Sequence, residues 1–171
     1  MAPASVIRRR REQTVREHME SENRHEFETT LETFEHPRYE LVATGEVHDG
    51  PDQVMKYFED SRRAFPDQRN ELVALHHADD AVLVEAIVRG THLGPLGGLP
   101  PTGRSYELPI LAAFLFEGDR LVCERVYFDS GTVLRQLGVA RDPLSLAGRL
   151  ETLASHPVTI GRGLVRRLTG R

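Results

Sequence analysis

Asp129 stands at a junction that suits proton transfer. It ends the run Leu121-Val-Cys-Glu-Arg-Val-Tyr-Phe-Asp129, which is rich in β-branched and aromatic residues, and the helix-like Ser130-Gly-Thr-Val-Leu-Arg-Gln-Leu-Gly138 follows at once. A carboxylate walled in by apolar strands is discouraged from ionising and becomes a usable acid or base. The same position also suits a helix cap, in which the carboxylate accepts from the free N–H groups of the first turn. Strand alternation puts Cys123, Arg125, Tyr127 and Asp129 on one face, and Val122, Glu124, Val126 and Phe128 on the other. If Asp129 faces a cavity, Tyr127 and Arg125 are expected beside it. Tyr127 would then donate to a substrate carbonyl or enolate, while Arg125 would pair with a substrate carboxylate, with Asp129, or structurally with Glu107 or Glu85. His92, where a strand gives way to a long loop, is a candidate to polarise a carbonyl, with loop stabilisation as its plainer role. His36, beside the first strands, completes the set. His76 and His77 point to opposite faces, and no i, i+4 histidine pair stands near a carboxylate, so no metal site is expected.

Helices come first in the elements that must position these groups. Residues from about Val6 to Phe34 read as one helix, with Val15 and Met19 four apart and Phe27, Leu31 and Phe34 extending the apolar stripe. Its basic run, Arg8 to Arg11, is followed closely by Glu12, Glu17, Glu20 and Glu22, the pattern of a solvated face. His36-Pro37 breaks it, and Tyr39 to Val47 reads as one or two short strands bent at Gly45. Gly50-Pro51 opens a second helix, to about Phe65, with Pro at its first position. Strands follow over Glu71–His77, Ala81–Thr91, Tyr106–Phe116 and Leu121–Phe128, the last two joined by a hairpin at Gly118. The strands at Ala81–Thr91 and Tyr106–Phe116 are apolar at both parities, as in a sheet covered by helices on one side and a second subunit on the other. The Gly/Pro-rich loop between them, Gly90 to Gly103, lacks the lysine and following helix of a phosphate cradle. Helices followed by a meandering sheet define an α+β fold, a cone with an open mouth where ligands bind. A helix from Asp142 to about Ser155 and a basic amphipathic tail, Ile160 to Leu168, close the chain. We therefore expect a cone domain over 1–140 and a helical extension over 141–171.

With 171 residues the chain is long enough to bury a real core. A formal charge of −4 argues against nucleic acid, which needs an excess of Lys and Arg on one face. The single cysteine, Cys123, excludes an internal disulfide. The start of the chain has no apolar signal core, and the apolar run Ile110 to Phe116 is too short to cross a bilayer; a cytoplasmic, non-membrane protein is expected.

Gly90-Thr-His-Leu-Gly, Gly98-Leu-Pro-Pro-Thr-Gly103, Phe116-Glu-Gly-Asp-Arg-Leu-Val and Asp129 with Leu134-Arg-Gln-Leu-Gly138 together resemble a SnoaL-like polyketide cyclase (ester cyclase) domain, of the nuclear transport factor 2-like superfamily. Gly50-Pro-Asp-Gln-Val and Ala64-Phe-Pro-Asp67 fit the same pattern, and the resemblance spans roughly Val15 to Gly138. It implies a cone-shaped α+β barrel, usually dimeric, with a mostly apolar pocket and no cofactor. A buried Asp just before the last family helix serves those cyclases as acid and base in an intramolecular aldol closure, and Asp129 matches that position. Where the family typically reads Glu-His-Trp, this chain has Cys123-Glu-Arg125. The leading expectation is a cofactor-independent cyclase or isomerase on a small, apolar carbonyl compound. The alternatives are a binding protein on the same fold, suggested by the lost Trp and by Arg125, and a dehydratase or hydrolase using Asp129 with His92.

Overall fold

The computed structural model describes residues 4–169; the outermost residues of the two expected units, 1–3 and 170–171, lie outside the described residues. The chain runs α1 (Ala4–Asn23), α2 (Phe27–Glu32), β1 (Arg38–Leu41), β2 (Glu46–Asp49), α3 (Pro51–Ala64), β3 (Arg69–His77), β4 (Ala81–Thr91), β5 (Ser105–Glu117), β6 (Arg120–Tyr127), α4 (Ser130–Gln136), α5 (Leu146–Ser155) and α6 (Pro157–Thr169). The single N-terminal helix expected from periodicity is two. His25 takes a positive φ of 60°, and the turn Arg24–Glu26 folds α2 back along α1. Likewise α5 begins at Leu146 rather than near Asp142, because Ser145 caps it by accepting from the Gly148 N–H.

Six strands form one open sheet in the order β2-β1-β6-β5-β4-β3. All neighbours are antiparallel except β1 and β6, where Tyr39 lies beside Glu124 and Leu41 beside Val126. This parallel pairing brings the first strand into the middle of the sheet, next to the last.

Cross-strand partners share a face, so register fixes what points inward. Val82, Val84, Ala86, Ala112 and Phe114 face the helices and form the core with Val15, Phe34, Tyr39, Leu41, Val54 and Phe58. Phe114 is opposite Glu124, and Ala112 opposite Val126. The inward residues of β6 are therefore Glu124 and Val126, followed by Phe128. Arg125, opposite Ala113, and Tyr127, opposite Leu111, lie on the outer face. Leu83, Ile87, Pro109 and Leu115 share that outer face, where Leu111 and Tyr127 remain exposed.

The loop after β4 is anchored at both ends. The Leu93 and Gly94 N–H groups donate to the Ala64 carbonyl at the end of α3, and Gly94 sits so close to Arg63 that a Cβ would lie 1.9 Å from its carbonyl oxygen. Only glycine fits there. Among the described residues no helix is long and apolar enough to cross a membrane.

Candidate functional site

A cavity of about 880 Å³ opens between the inner sheet face and α1, α3 and α4, a volume suited to a drug-sized ligand. Its walls include Leu41, Phe65, Val88, Leu108, Ile110, Val126, Phe128 and Val133, with Pro95, Leu96 and Gly97 of the long loop at the rim. Sheet alternation supplies the apolar lining, and the buried ends of Glu22, Tyr39 and Glu124 make the inner end polar.

That polar end is a connected cluster. The Glu124 side chain is only 8% exposed, and its Oε2 lies 3.1 Å from His18 Nε2, which is fully buried. His18 Nε2 is also 2.6 Å from the Tyr39 hydroxyl, and His18 Nδ1 is 2.8 Å from Thr33 Oγ1. Beside it Arg62 donates to Glu22 Oε1 at 2.9 Å, a buried ion pair between α3 and α1. Burial, with the nearby carboxylates of Glu124 and Glu22, pushes the Tyr39 phenol well above its usual range. Tyr57 lines the cavity as well, stacked on His48 at 4.9 Å and 5.6 Å from the Tyr39 ring. Burial, followed by Glu22 and Glu124, raises Tyr57 too, so its hydroxyl keeps its proton at neutral pH. No protein group among the described residues accepts that proton, which leaves a donor available to a ligand oxygen.

The residues singled out by sequence lie elsewhere. Asp129 is 62% exposed at its side chain and is the N-cap of α4: Oδ1 accepts from the Gly131 N–H at 2.9 Å, while Oδ2 accepts from the Thr132 hydroxyl and Arg135. Thr132, then Arg135 and the backbone N–H groups, hold its carboxyl below the usual carboxylate range. The cap reading therefore describes its place, and Asp129 is absent from the cavity lining. Because its folded value is depressed, its contribution to stability is present at neutral pH and is lost as pH falls through that value. Asp129→Asn should lower the thermal midpoint at neutral pH, and the difference from wild type should vanish in acid; a pH series of melts checks this.

His92 is fully buried against Phe65, and its Nδ1 accepts from the Thr102 N–H at 3.2 Å. With its backbone bonded to Gly103 and Arg104, it closes the base of the loop instead of entering the cavity. Arg125 pairs with Glu40 of β1 at 2.5 Å, not with Glu107 or Glu85. Glu107 pairs with Arg89, and Tyr127 is on the outer face. His36 is exposed and bonded to Asp49 at 2.7 Å. None of these four lines the cavity. The expectation that Tyr127 and Arg125 would enter it had the parity at this end of β6 inverted, since Glu124 and Val126 face inward.

Sequence reasoning passed over Glu124, His18, Glu22 and Tyr57. The signal was present in α1, where Val15, His18, Met19 and Glu22 recur at i, i+3, i+4 and i+7 along its buried stripe. Two polar residues on an apolar stripe require buried partners.

Helices packed on one face of an open, curved, mostly antiparallel sheet define an α+β cone of the nuclear transport factor 2 and ketosteroid isomerase type. A protein with a ketosteroid isomerase-like fold from Catenulispora acidiphila superposes with a TM-score of 0.62 at 17% identity, over 74% of this chain and 92% of that one. Within that class, residues 12–137 match the SnoaL-like polyketide cyclase family, and the chain belongs to it. Similar structures include IdmH from Streptomyces antibioticus, described as a candidate polyketide cyclase, with a TM-score of 0.65 and 26% identity over 75% of this chain and 99% of that one. AclR from Streptomyces galilaeus, described as a candidate hydroxylase, has a TM-score of 0.66 and 20% identity over 77% and 87%. No curated protein matches the sequence.

Proposed function

We propose that this protein is a cyclase or isomerase that moves a proton on a small, largely apolar, polyketide-like carbonyl compound inside the cone, without a cofactor. The observation that carries this reading is Glu124, a buried carboxylate at the inner end of a cavity whose sheet-side wall is mostly apolar. Family membership and the description of IdmH as a candidate polyketide cyclase support it.

A carbon between two carbonyls loses its proton to Glu124, and the resulting enolate oxygen accepts from the Tyr57 hydroxyl. In an aldol closure the enolate carbon then attacks a third carbonyl of the same molecule. The new C–C bond forms as that carbonyl becomes an alkoxide, and the proton held by Glu124 is returned to it. Nothing is oxidised or reduced, and the product is an isomer of the substrate.

Asp129, the residue expected to do this work, is occupied by its cap, and His92 by its loop. Arg125, which favoured a non-catalytic reading, stands outside the cavity. A direct test is deuterium uptake at the central carbon of a 2-substituted 1,3-diketone in heavy water, followed by proton NMR. Wild-type protein should accelerate it, and an uncatalysed rate at saturating probe would remove the enzyme reading in favour of a binding protein.

The outer sheet face supports a homodimer. Leu83, Ile87, Pro109, Leu111, Leu115 and Tyr127 form an apolar stripe flanked by the charge pairs Arg89–Glu107 and Arg125–Glu40, an arrangement a second copy complements by a two-fold turn. Sedimentation should give a dimer, and Leu111→Arg, which places an unpaired charge in the stripe, should give a monomer with the cavity intact.

A further inference from the structure

We infer that Glu124 and His18 hold one proton between them, and that its passage from one to the other switches Glu124 between acid and base. The inference rests on the assignment of Glu124 as the group that meets substrate, and it concerns how that group is kept ready for use.

Donor and acceptor bookkeeping in the cluster leads to it. The Thr33 hydroxyl lies 2.7 Å from the Thr30 carbonyl and 2.8 Å from His18 Nδ1; a carbonyl can only accept, so a hydroxyl turned to it leaves its oxygen as acceptor toward Nδ1. In that arrangement Nδ1 carries a hydrogen. Three atoms then meet on the other side of the ring: His18 Nε2, the Tyr39 hydroxyl at 2.6 Å from it, and Glu124 Oε2 at 3.1 Å from it. Tyr39 keeps its proton and supplies one hydrogen to this group. If that were the only one, the bare Nε2 lone pair would face an ionised carboxylate in a site closed to water, and Glu124 Oε2 would be left with no donor. A second hydrogen satisfies every atom. Placed on Nε2 it gives an imidazolium beside a carboxylate; placed on Oε2 it gives a carboxylic acid donating to a neutral imidazole.

The surrounding charges permit either placement. Arg62 faces the cluster from α3 but donates to Glu22 Oε1, and the other Glu22 oxygen is 4.0 Å from Nε2. Glu22 and Arg62 neutralise each other, Tyr57 and Tyr39 remain neutral, and Phe34 and Phe114 close the ring edges. Moving the proton across the 3.1 Å gap leaves the net charge of the cavity unchanged. Glu124 is a base when His18 holds the proton and an acid when it holds the proton itself, as a closure that first takes and then returns a proton requires. His18 is then a positioning residue that acts through Glu124, with Tyr39 fixing its orientation.

Nitrogen-15 NMR of the His18 ring and carbon-13 NMR of the Glu124 carboxyl, in ligand-free protein at neutral pH, count the protons directly. Glu124→Gln assigns the carboxyl signal. The expected result is a protonated Nδ1 together with one proton in the pair: a protonated Nε2 with an ionised carboxyl, a bare Nε2 with a protonated carboxyl, or signals averaged between these. In Glu124→Gln the side-chain amide donates to the ring, and Nε2 should take the shift of a bare nitrogen. Finding a bare Nδ1, or both members of the pair bare or both protonated, in the wild type would overturn the inference. No substrate enters this measurement. A correct proton count with unimpaired deuterium exchange in Glu124→Gln would therefore refute the proposed function and leave the shared proton standing.

Discussion

Glu124→Gln should abolish deuterium exchange into a bound 1,3-diketone while leaving the protein at least as stable as the wild type. General acid–base catalysis by a positioned side chain contributes typically about 10²- to 10⁴-fold, and the loss is expected in that range. The two side chains have nearly the same volume, so the cavity keeps its shape. Stability should hold because the amide N–H supplies toward His18 Nε2 the hydrogen that the shared proton supplies in the wild type. Lost activity at an unchanged thermal midpoint is the signature of a group kept for chemistry. If activity and stability fell together, Glu124 would be a structural member of the core instead.

The second large effect is expected at Arg62. Its guanidinium is buried, donates to Glu22 Oε1 and stands 5.7 Å over the Phe27 ring. Arg62→Met leaves Glu22 as an uncompensated carboxylate beside Glu124, and breaking a buried pair from one side costs about 3–5 kcal/mol. Removing both charges, as in Glu22→Leu with Arg62→Met, should recover most of that loss, since well-packed apolar replacements for a buried pair are often neutral. Denaturant titration of the two single variants and the double one gives the coupling between them. Additive losses would mean that the pair does not hold α1 to α3 through its charges.

Several elements of the fold were legible from local pattern. Alternation found β4, β5 and β6 to within a residue or two, Pro51 marked the start of α3, and the hairpin at Gly118 was plain. The site was less legible because it depends on pairings far apart in the chain. Arg125 meets Glu40 only because β1 lies parallel to β6, a contact between residues 85 positions apart that no local periodicity announces. The inward parity of β6 follows from Phe114 standing opposite Glu124, whereas the sequence reading took its phase from Asp129. Asp129 itself follows a purely local rule, the preference of Asp for the cap, and that rule prevailed. His18 and Glu22 could have been found in the sequence, because polar residues on the buried stripe of an amphipathic helix mark either a partner or a site.

The central claim is that the buried end of the cone, and not the start of α4, moves the proton. Deuterium uptake by one 1,3-diketone probe, measured side by side with Glu124→Gln and Asp129→Asn protein, tests it most directly. The expected result is exchange lost in the first variant and retained in the second. Loss in Asp129→Asn with exchange intact in Glu124→Gln would contradict it and return the chemistry to the residue at the helix cap.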